Sequence, residues 1–326
     1  MTHYRERLEQ QQIWVYAFAL LLGAVVGLAN EHIAFYFTGM ITPLIAILLY
    51  SMLAQIPFFK LREALANRKF IAALVIGNFL AVPLIVYVLI ALFPQPTPIL
   101  VGVCLVLLTP CIDYVIVFTQ LGKGNEKLML ASTPILFIVQ LLLLPLYLSL
   151  FIGEEMADIV QIQPFLEAFL FLIMAPLIAA LITQLWAKNS TAGTKTLEMT
   201  AWLPVPFMAF VLIAVVASQI GKVYSDFELI IGVIPIYVLF LVITPLVARL
   251  ILRFIKLDVG AGRALIFSMG TRNSLVVLPL ALALPYEWAT IAAAIIVTQT
   301  IVELIGELIY IKLVPKWMLK DKGEIR

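Results

Sequence analysis

Long runs of apolar residues, separated by short polar links, follow one another along the whole chain. Each run holds about 18 or more residues with few charges, enough for a helix that crosses a hydrocarbon core of about 30 Å. The pattern predicts ten transmembrane helices, at about 13–30, 33–57, 69–93, 98–121, 128–152, 164–187, 200–220, 228–254, 262–284 and 288–314.

Composition strengthens this prediction. Of the 326 residues, 63% are hydrophobic and 12% are charged, whereas soluble domains are nearer half apolar and a quarter charged. The expected fold class is therefore an all-α polytopic membrane protein, with the lipid bilayer as its surroundings.

Motifs of soluble catalysis are missing from the sequence. It contains no Walker loop, no GxGxxG before a helix and no Ser/His/Asp constellation, and His3 and His32 form no metal-ligand cluster. We therefore expect neither an enzyme nor an ATP-driven pump, and no cofactor, metal or nucleic-acid partner. The expected partner is a small inorganic or organic solute, and the oligomeric state stays open.

The positive charges are distributed unevenly between the links. Nineteen of the 21 Lys and Arg residues fall in the termini, in alternate links or in the ends of the spans beside those links, while Lys222 and Arg272 do not. Because positive residues in short loops stay cytoplasmic, both termini are predicted to be cytoplasmic. An even number of spans agrees with that orientation, in a multi-pass protein of the cell membrane.

The two halves of the chain resemble each other at an offset near 162 residues. AVPLIVYVL around Pro83 matches ITPLVARLIL around Pro245, and YSMLAQI matches AVVASQI. We interpret 1–156 and 157–326 as two five-helix repeats. Since five spans is an odd number, the repeats must be inverted, an arrangement typical of secondary transporters with a site near the midplane.

Spans four and nine carry the densest polarity within the membrane. Span four contains Thr109-Pro110-Cys111-Ile112-Asp113, and the offset places Thr109 on Thr271 and Cys111 on Asn273. Pro110 removes a backbone donor, and Gly270 weakens span nine. We therefore predict that helices four and nine are broken and cross, with Thr109, Cys111, Thr271 and Asn273 at the binding site, because unwound backbone survives only inside protein or beside a watery cavity.

Two charged residues, Asp113 and Arg272, lie within these spans. Each charge at a helix centre costs about 2.5–3.5 kcal/mol on insertion scales, so we expect them to form a buried ion pair. That pair either only fastens the two repeats together or also couples transport. Asn78, in span three, is either a binding residue or a polar contact between helices.

Span ten contains two glutamates one helical turn apart, Glu303 and Glu307. Glu303 is the deeper of the two and is a candidate proton carrier. Glu307 lies nearer the predicted cytoplasmic end, and we expect it to reach water.

Cys111 has two interpretations. A buried cysteine usually behaves as a small hydrophobe, and Cys104, in plain apolar sequence, is assigned to the core on that ground. Cys111 lies at the predicted helix break and close to Asp113, which also makes it a candidate ligand for the substrate.

The segment CIDYVIVFTQLGKGNEK resembles the corresponding segment of the arsenite efflux permeases, and Cys111 stands on that family's thiol. These permeases belong to the superfamily of bile acid:sodium symporters, which has two inverted five-helix repeats with crossed, broken helices four and nine. The resemblance extends over nearly the whole chain, and it implies arsenite recognition at Cys111. Glu303, in TIVE, resembles the permeases' glutamate in span ten.

The sequence departs from both families in span nine. The permeases have Ser-Asn-Asn-Phe-Glu where this chain has Thr-Arg-Asn-Ser-Leu, so Asn273 alone is retained. The bile acid symporters have Gly-x-Gln-Asn, and here Ser268 stands at the expected sodium-binding glutamate and Arg272 at the glutamine. A permanently charged guanidinium at that place repels a sodium ion, so we expect coupling to protons or to no ion.

Three functions remain open from the sequence. The first is efflux of arsenite by proton antiport, with Cys111 as a soft ligand. The second is transport of a small organic anion, with Arg272 exposed to a carboxylate or sulfonate. The third is a membrane receptor or sensor on the same scaffold that transports nothing.

Overall fold

The chain folds into helices throughout the part that the computed structural model describes. That part comprises residues 8, 11–29, 31–60, 67–112, 114–153, 167, 169–225 and 227–320. Its α-helices are α1 Gln12–Ala29, α2 Glu31–Gln55, α3 Arg68–Ile76, α4 Val82–Leu92, α5 Thr97–Leu107, α6 Val115–Leu121, α7 Glu126–Ile152, α8 Ala175–Asn189, α9 Thr191–Thr200, α10 Pro204–Ser225, α11 Phe227–Ile255, α12 Val259–Gly270, α13 Ser274–Leu282 and α14 Tyr286–Leu313. Among these residues an isolated bridge is the extended pairing found, which agrees with the predicted all-α class.

Several helices are long and apolar enough to cross a membrane. Five qualify by length and composition: Arg68–Leu92, Glu126–Ile152, Phe169–Asn189, Ile231–Ile255 and Trp288–Met318. A sixth is obtained if the bent pair of α9 and Pro204–Ser218 is one span. The multi-pass membrane protein is thus confirmed, whereas the ten spans and their repeat arrangement stay predictions.

Local chemistry explains where several helices begin. The side chain of Asn67 accepts from the Phe70 N–H at the start of α3, and Asn125 caps α7 in the same way. Asp258 accepts from the Ala261 N–H at 2.9 Å, at the start of α12. Such caps satisfy backbone donors that have no partner in the first turn of a helix.

The chain divides into two compact units that do not coincide with its two halves. The first unit comprises 1–56, 157–230 and 275–297, and the second comprises 57–156, 231–274 and 298–326. Each unit therefore combines segments from both predicted repeats, 1–156 and 157–326. The division into repeats and the cytoplasmic position of both termini stay predictions, and most residues of both termini lie outside the described part.

In the first unit, α10 packs against α1 and α2, and α8 packs against α2 and α9. The amide of Gln184, in α8, donates to the carbonyls of Ala54 at 2.9 Å and Ile56 at 2.7 Å. These carbonyls lie in and directly after the last turn of α2, where no helical N–H remains to bond them. Gln184 thus fastens the end of α2 to its neighbour.

Two glycines of the first unit are expected to respond differently to substitution, because their surroundings differ. A Cβ on Gly23, in α1, would lie 3.0 Å from the Ile213 carbonyl oxygen and the Val216 Cβ, whereas a Cβ on Gly39 meets nothing within 4 Å. Gly23→Leu is expected to destabilise the protein by about 1–3 kcal/mol, the usual cost of overpacking. Gly39→Leu is expected to be neutral or slightly stabilising, because glycine disfavours helix.

Thermal unfolding of the purified variants in detergent measures both effects. Equal melting temperatures for Gly23→Leu and Gly39→Leu would contradict the close packing of α1 on α10.

In the second unit, α12 packs against α3, α6 and α7. The Asn125 N–H donates to the Gly260 carbonyl at 3.0 Å, which joins the start of α7 to the start of α12. Arg263, which the distribution of positive charge assigns to a link, lies inside α12 and is buried. Its guanidinium donates to the carbonyls of Leu319 and Lys123, so it fixes the first half of α12 to these two neighbours.

Candidate functional site

The two interrupted segments meet as a short antiparallel pairing of backbone. Residues 108–114 separate α5 from α6, and residues 271–273 separate α12 from α13. Between these helix ends, Pro110 and Arg272 form an isolated antiparallel bridge. The second unit therefore brings together the two segments that the sequence singled out.

Two hydrogen bonds hold this pairing. The Cys111 N–H donates to the Thr271 carbonyl at 3.1 Å, and the Asn273 N–H donates to the Thr109 carbonyl at 2.9 Å. All four residues are buried. Because unwound backbone must be satisfied inside the protein in a membrane, each break supplies the partners that the other one needs.

The guanidinium of Arg272 lies at this pairing of residues 109–111 with residues 271–273 (the crossing). Its Nη2 donates to the Asn78 Oδ1 at 2.8 Å, the Ser268 carbonyl at 2.6 Å and the Met269 carbonyl at 2.9 Å. Its Nη1 lies 3.4 Å from the Leu107 carbonyl. The last carbonyls of a helix carry partial negative charge, so the ends of α5 and α12 both direct negative potential at this cation.

The guanidinium of Arg272 also packs against an aromatic ring. Its Cζ lies 5.5 Å from the centre of the Phe240 ring, in a cation–π arrangement. The Nη2 partner Asn78 donates in turn to the Ser268 Oγ at 3.0 Å and to the Leu74 carbonyl at 3.1 Å. Among the described residues, the guanidinium has no ion-pair partner, and its Nε–H has no acceptor.

Glu303 joins the crossing through backbone and side-chain donors. Its Oε2 accepts from the Arg272 backbone N–H at 2.8 Å and from the Gln299 amide at 2.6 Å. Its Oε1 lies 2.9 Å from the Tyr114 hydroxyl. Three donors on one fully buried carboxyl offset much of the cost of removing it from water.

This network has room for a proton on Glu303. The Tyr114 hydroxyl also lies 2.8 Å from the Arg272 carbonyl, but a hydroxyl has a single hydrogen to donate. Both contacts are satisfied together when Glu303 carries a proton on Oε1 and donates it to the tyrosine oxygen. A protonated Glu303 thus leaves neither the Tyr114 hydroxyl nor the Arg272 carbonyl without a partner.

Glu307 is held less completely than Glu303. Its Oε1 lies 3.1 Å from the Thr271 hydroxyl, and its Oε2 has no partner among the described residues. It is fully buried, so the expectation that it reaches water is wrong. A Cβ on Gly270 would lie 2.7 Å from the Tyr310 ring and 3.3 Å from the Glu307 Oε1, and this close approach of α14 to α12 encloses the carboxyl.

The structure brings most of the residues singled out from the sequence to the backbone bridge. Pro110 and Arg272 lie at the bridge, flanked by Thr109, Cys111, Thr271 and Asn273, and Glu303 is joined to it by one hydrogen bond. Gly270 is the last residue of α12 and lies directly before the interruption. Asp113 lies outside the described residues, and its pairing with Arg272 stays a prediction.

Sequence reasoning missed two residues of this network, Tyr114 and Gln299. Both carried a signal: Tyr114 follows the TPCID motif directly, and Gln299 precedes Glu303 by four residues, which places both on one helix face. The sequence allows Asn78 to be a binding residue or a polar contact between helices. In the structure its Oδ1 accepts a hydrogen bond from the Arg272 guanidinium.

Buried charged groups where two interrupted helices meet, in a protein with several apolar spans, are typical of secondary transporters. A comparison with protein families specifies this class. The chain belongs to the Sodium Bile acid symporter family, whose model matches residues 42–226. It is accordingly a transmembrane transporter of that family.

One curated relative is an uncharacterized sodium-dependent transporter, YocS, of Bacillus subtilis (strain 168). It is 26% identical over 262 residues, which cover 80% of this chain and 78% of the relative. Both comparisons support the bile acid:sodium symporter side of the resemblance. Neither links the chain to the arsenite permeases, so that part stays a prediction.

Proposed function

We propose that this protein is a secondary transporter of a small organic anion, and that Arg272 supplies the positive charge at the crossing without a bound sodium ion. The observation that carries the proposal is the set of oxygens around the guanidinium. The carbonyls of Ser268 and Met269 and the amide oxygen of Asn78 lie within 2.9 Å of its Nη2.

In secondary transporters, oxygens of this kind coordinate sodium, because unwound carbonyls and helix C-termini supply the ligands. Here these oxygens are engaged by a side chain that is always charged. A sodium ion in the same place would have to displace the guanidinium and would be repelled by it. The fixed charge therefore makes sodium unnecessary at this point, and the sodium dependence in the name of the B. subtilis relative is a property of that protein.

An organic anion is favoured over arsenite for two reasons. The family match supports a carrier of the bile acid:sodium symporter type. In addition, the Arg272 Nε–H has no acceptor among the described residues, and a guanidinium suits a carboxylate or sulfonate through its planar set of donors. We propose that this donor faces the substrate when the transporter opens.

We further propose that Glu303 is the site of any coupled proton. A protonated Glu303 can donate to the Tyr114 oxygen while the Tyr114 hydroxyl donates to the Arg272 carbonyl, which completes this chain of hydrogen bonds. A proton on Glu303 leaves the charge of Arg272 uncompensated within the network, which favours entry of an anion.

Flux into proteoliposomes tests the proposal. Purified protein is reconstituted and given a panel of radiolabelled small carboxylates and sulfonates, with sodium or choline as the only external cation. We expect saturable uptake of at least one anion, at equal rates in sodium and in choline. Uptake that requires a sodium gradient would contradict the role of Arg272, and binding without flux would indicate a receptor or sensor.

The alternative hypothesis, that the protein exports arsenite, is tested in parallel with the variant Cys111→Ser. An arsenite-sensitive host that carries the wild-type protein is expected to stay sensitive, and Cys111→Ser is expected to leave anion uptake unchanged, because the buried thiol then acts as a small packing group. Resistance that the wild type confers and Cys111→Ser abolishes would instead support arsenite efflux.

A further inference from the structure

A deep apolar groove of about 800 Å³ lies between α11 and α14 in the second unit. Its walls are exposed aliphatic side chains: Val238, Val242, Leu246, Ile301, Ile305 and Ile309. From Ile234 to Arg249 it follows α11 for roughly 22 Å at the helical rise of 1.5 Å per residue. One leaflet has half the depth of a hydrocarbon core of about 30 Å, so the groove is longer than one leaflet is deep.

The floor of the groove is preformed by tight contact of the two helices. A Cβ on Gly306 would lie 2.6 Å from the Leu241 Cδ1, and the Tyr310 hydroxyl donates to the Leu241 carbonyl. The helices are therefore in contact along the floor, while the side chains of the walls are exposed. The groove is thus formed before any occupant binds.

One end of the groove is basic and aromatic. Arg249 and Trp317 line this end, and both are exposed. A neighbouring cleft of about 500 Å³ shares Leu313 and Trp317 with the groove and is lined by Lys312 and Lys316. Three cations and an exposed tryptophan thus surround one end of an otherwise apolar channel.

We propose that this groove binds an anionic phospholipid. An acyl chain lies along the aliphatic walls, the headgroup phosphate pairs with Arg249, and Lys312 and Lys316 add attraction from the adjoining cleft. Basic pockets between transmembrane helices on the cytoplasmic side bind anionic headgroups, and tryptophan favours the membrane interface. The basic end is the one that the distribution of Lys and Arg predicts to be cytoplasmic.

Charge favours a lipid over a second copy of this chain. A two-fold axis along the membrane normal would bring the same face of each copy together, so that Arg249, Lys312 and Lys316 would oppose the same cations of the partner copy. A phosphate neutralises these charges, whereas a dimer of this kind concentrates them.

The bound chain would lie close to the transport site. Tyr310, on the floor of the groove, packs its ring against Phe267 of α12 with a distance of 6.2 Å between centres. Gly306 lies between Glu303 and Glu307 on α14. The lipid therefore contacts the helix that carries both buried carboxyls, from the side opposite to the crossing.

Native mass spectrometry of the full-length protein tests the site, with phosphatidylglycerol and phosphatidylcholine supplied in equal amounts in detergent. We expect the wild type to retain phosphatidylglycerol preferentially. Arg249→Gln should weaken that retention about fivefold, the usual effect of one basic residue near a membrane surface, without changing retention of phosphatidylcholine. Leu246→Trp, which fills the groove, should lower the retention of both lipids.

Matched controls separate the site from general lipid contact. Arg68→Gln removes an exposed arginine of α3, and Leu84→Trp alters a leucine that is 65% exposed, compared with 58% for Leu246; neither residue lines the groove, and both variants should behave as wild type. Equal retention of the two lipids by the wild type, or equal losses in Arg249→Gln and Arg68→Gln, would overturn the proposal. So would a dimer that forms as lipid is lost and that Leu246→Trp disrupts.

Discussion

Arg272→Gln is expected to lower anion transport by about 10- to 100-fold. A hydrogen bond to a charged group contributes about 1.5–3 kcal/mol, and each 1.4 kcal/mol corresponds to a factor of ten. The shorter amide does not reproduce the fork that donates to Asn78, Ser268 and Met269. Each acceptor left unpaired costs about 1–3 kcal/mol, so the melting temperature should fall as well.

Two further measurements separate the charge of Arg272 from its packing. Arg272→Lys keeps the charge but lacks the planar set of donors, so it should retain more transport than Arg272→Gln. If the guanidinium stands in for a cation, the melting temperature of Arg272→Gln should rise in sodium chloride relative to choline chloride, because a ligand that binds only the folded state stabilises it. Wild-type protein should show no such difference, and transport by Arg272→Gln at the wild-type rate would contradict the assigned role.

Glu303→Gln is expected to have the second largest effect. The carboxyl receives the Arg272 N–H, the Gln299 amide and the Tyr114 hydroxyl. Glutamine keeps the shape, and its NH₂ group at the Oε1 position can donate to the tyrosine oxygen as a protonated carboxyl does, but it cannot take up or release a proton. Transport should fall at least tenfold, and any acceleration by an inward proton gradient should disappear.

Glu307→Gln is the matched control for Glu303→Gln. It lies one turn further along α14 and is equally buried, but one of its oxygens has no partner among the described residues. Its hydrogen bond is with the Thr271 hydroxyl and not with the Arg272 N–H or Tyr114, so we expect a smaller loss of transport. Equal losses in the two variants, measured in the same proteoliposomes, would indicate that Glu303 has no special role.

How much could be predicted from the sequence differs between the fold and the site. The membrane class followed from apolar runs, because their length and composition alone decide whether a helix can cross a bilayer. Span four is predicted as one helix, but in the structure it consists of the shorter helices α5 and α6 with an interruption between them. A hydropathy pattern averages over such an interruption, because the residues on both sides of it are apolar.

The sequence predicts several residues of the candidate site but not the groups to which they are bonded. Pro110 and Arg272 were noted as exceptional residues within apolar runs, and the repeat offset related their segments. The expected partner of Arg272 was Asp113, which lies outside the described residues, whereas the observed acceptors are mostly backbone carbonyls. Backbone carbonyls are present at every residue, so no sequence pattern reveals which of them a buried cation selects.

The sequence by itself determined that this is a multi-pass helical membrane protein and where its exceptional polar residues lie, because hydropathy and proline geometry act over a few residues at a time. Only the tertiary structure decided that Arg272 is held by the ends of α5 and α12, that Tyr114 and Gln299 bind Glu303, and that Glu307 is buried. These contacts join residues from 3 to 189 positions apart. They depend on which helix faces pack together, and packing is settled by the whole chain.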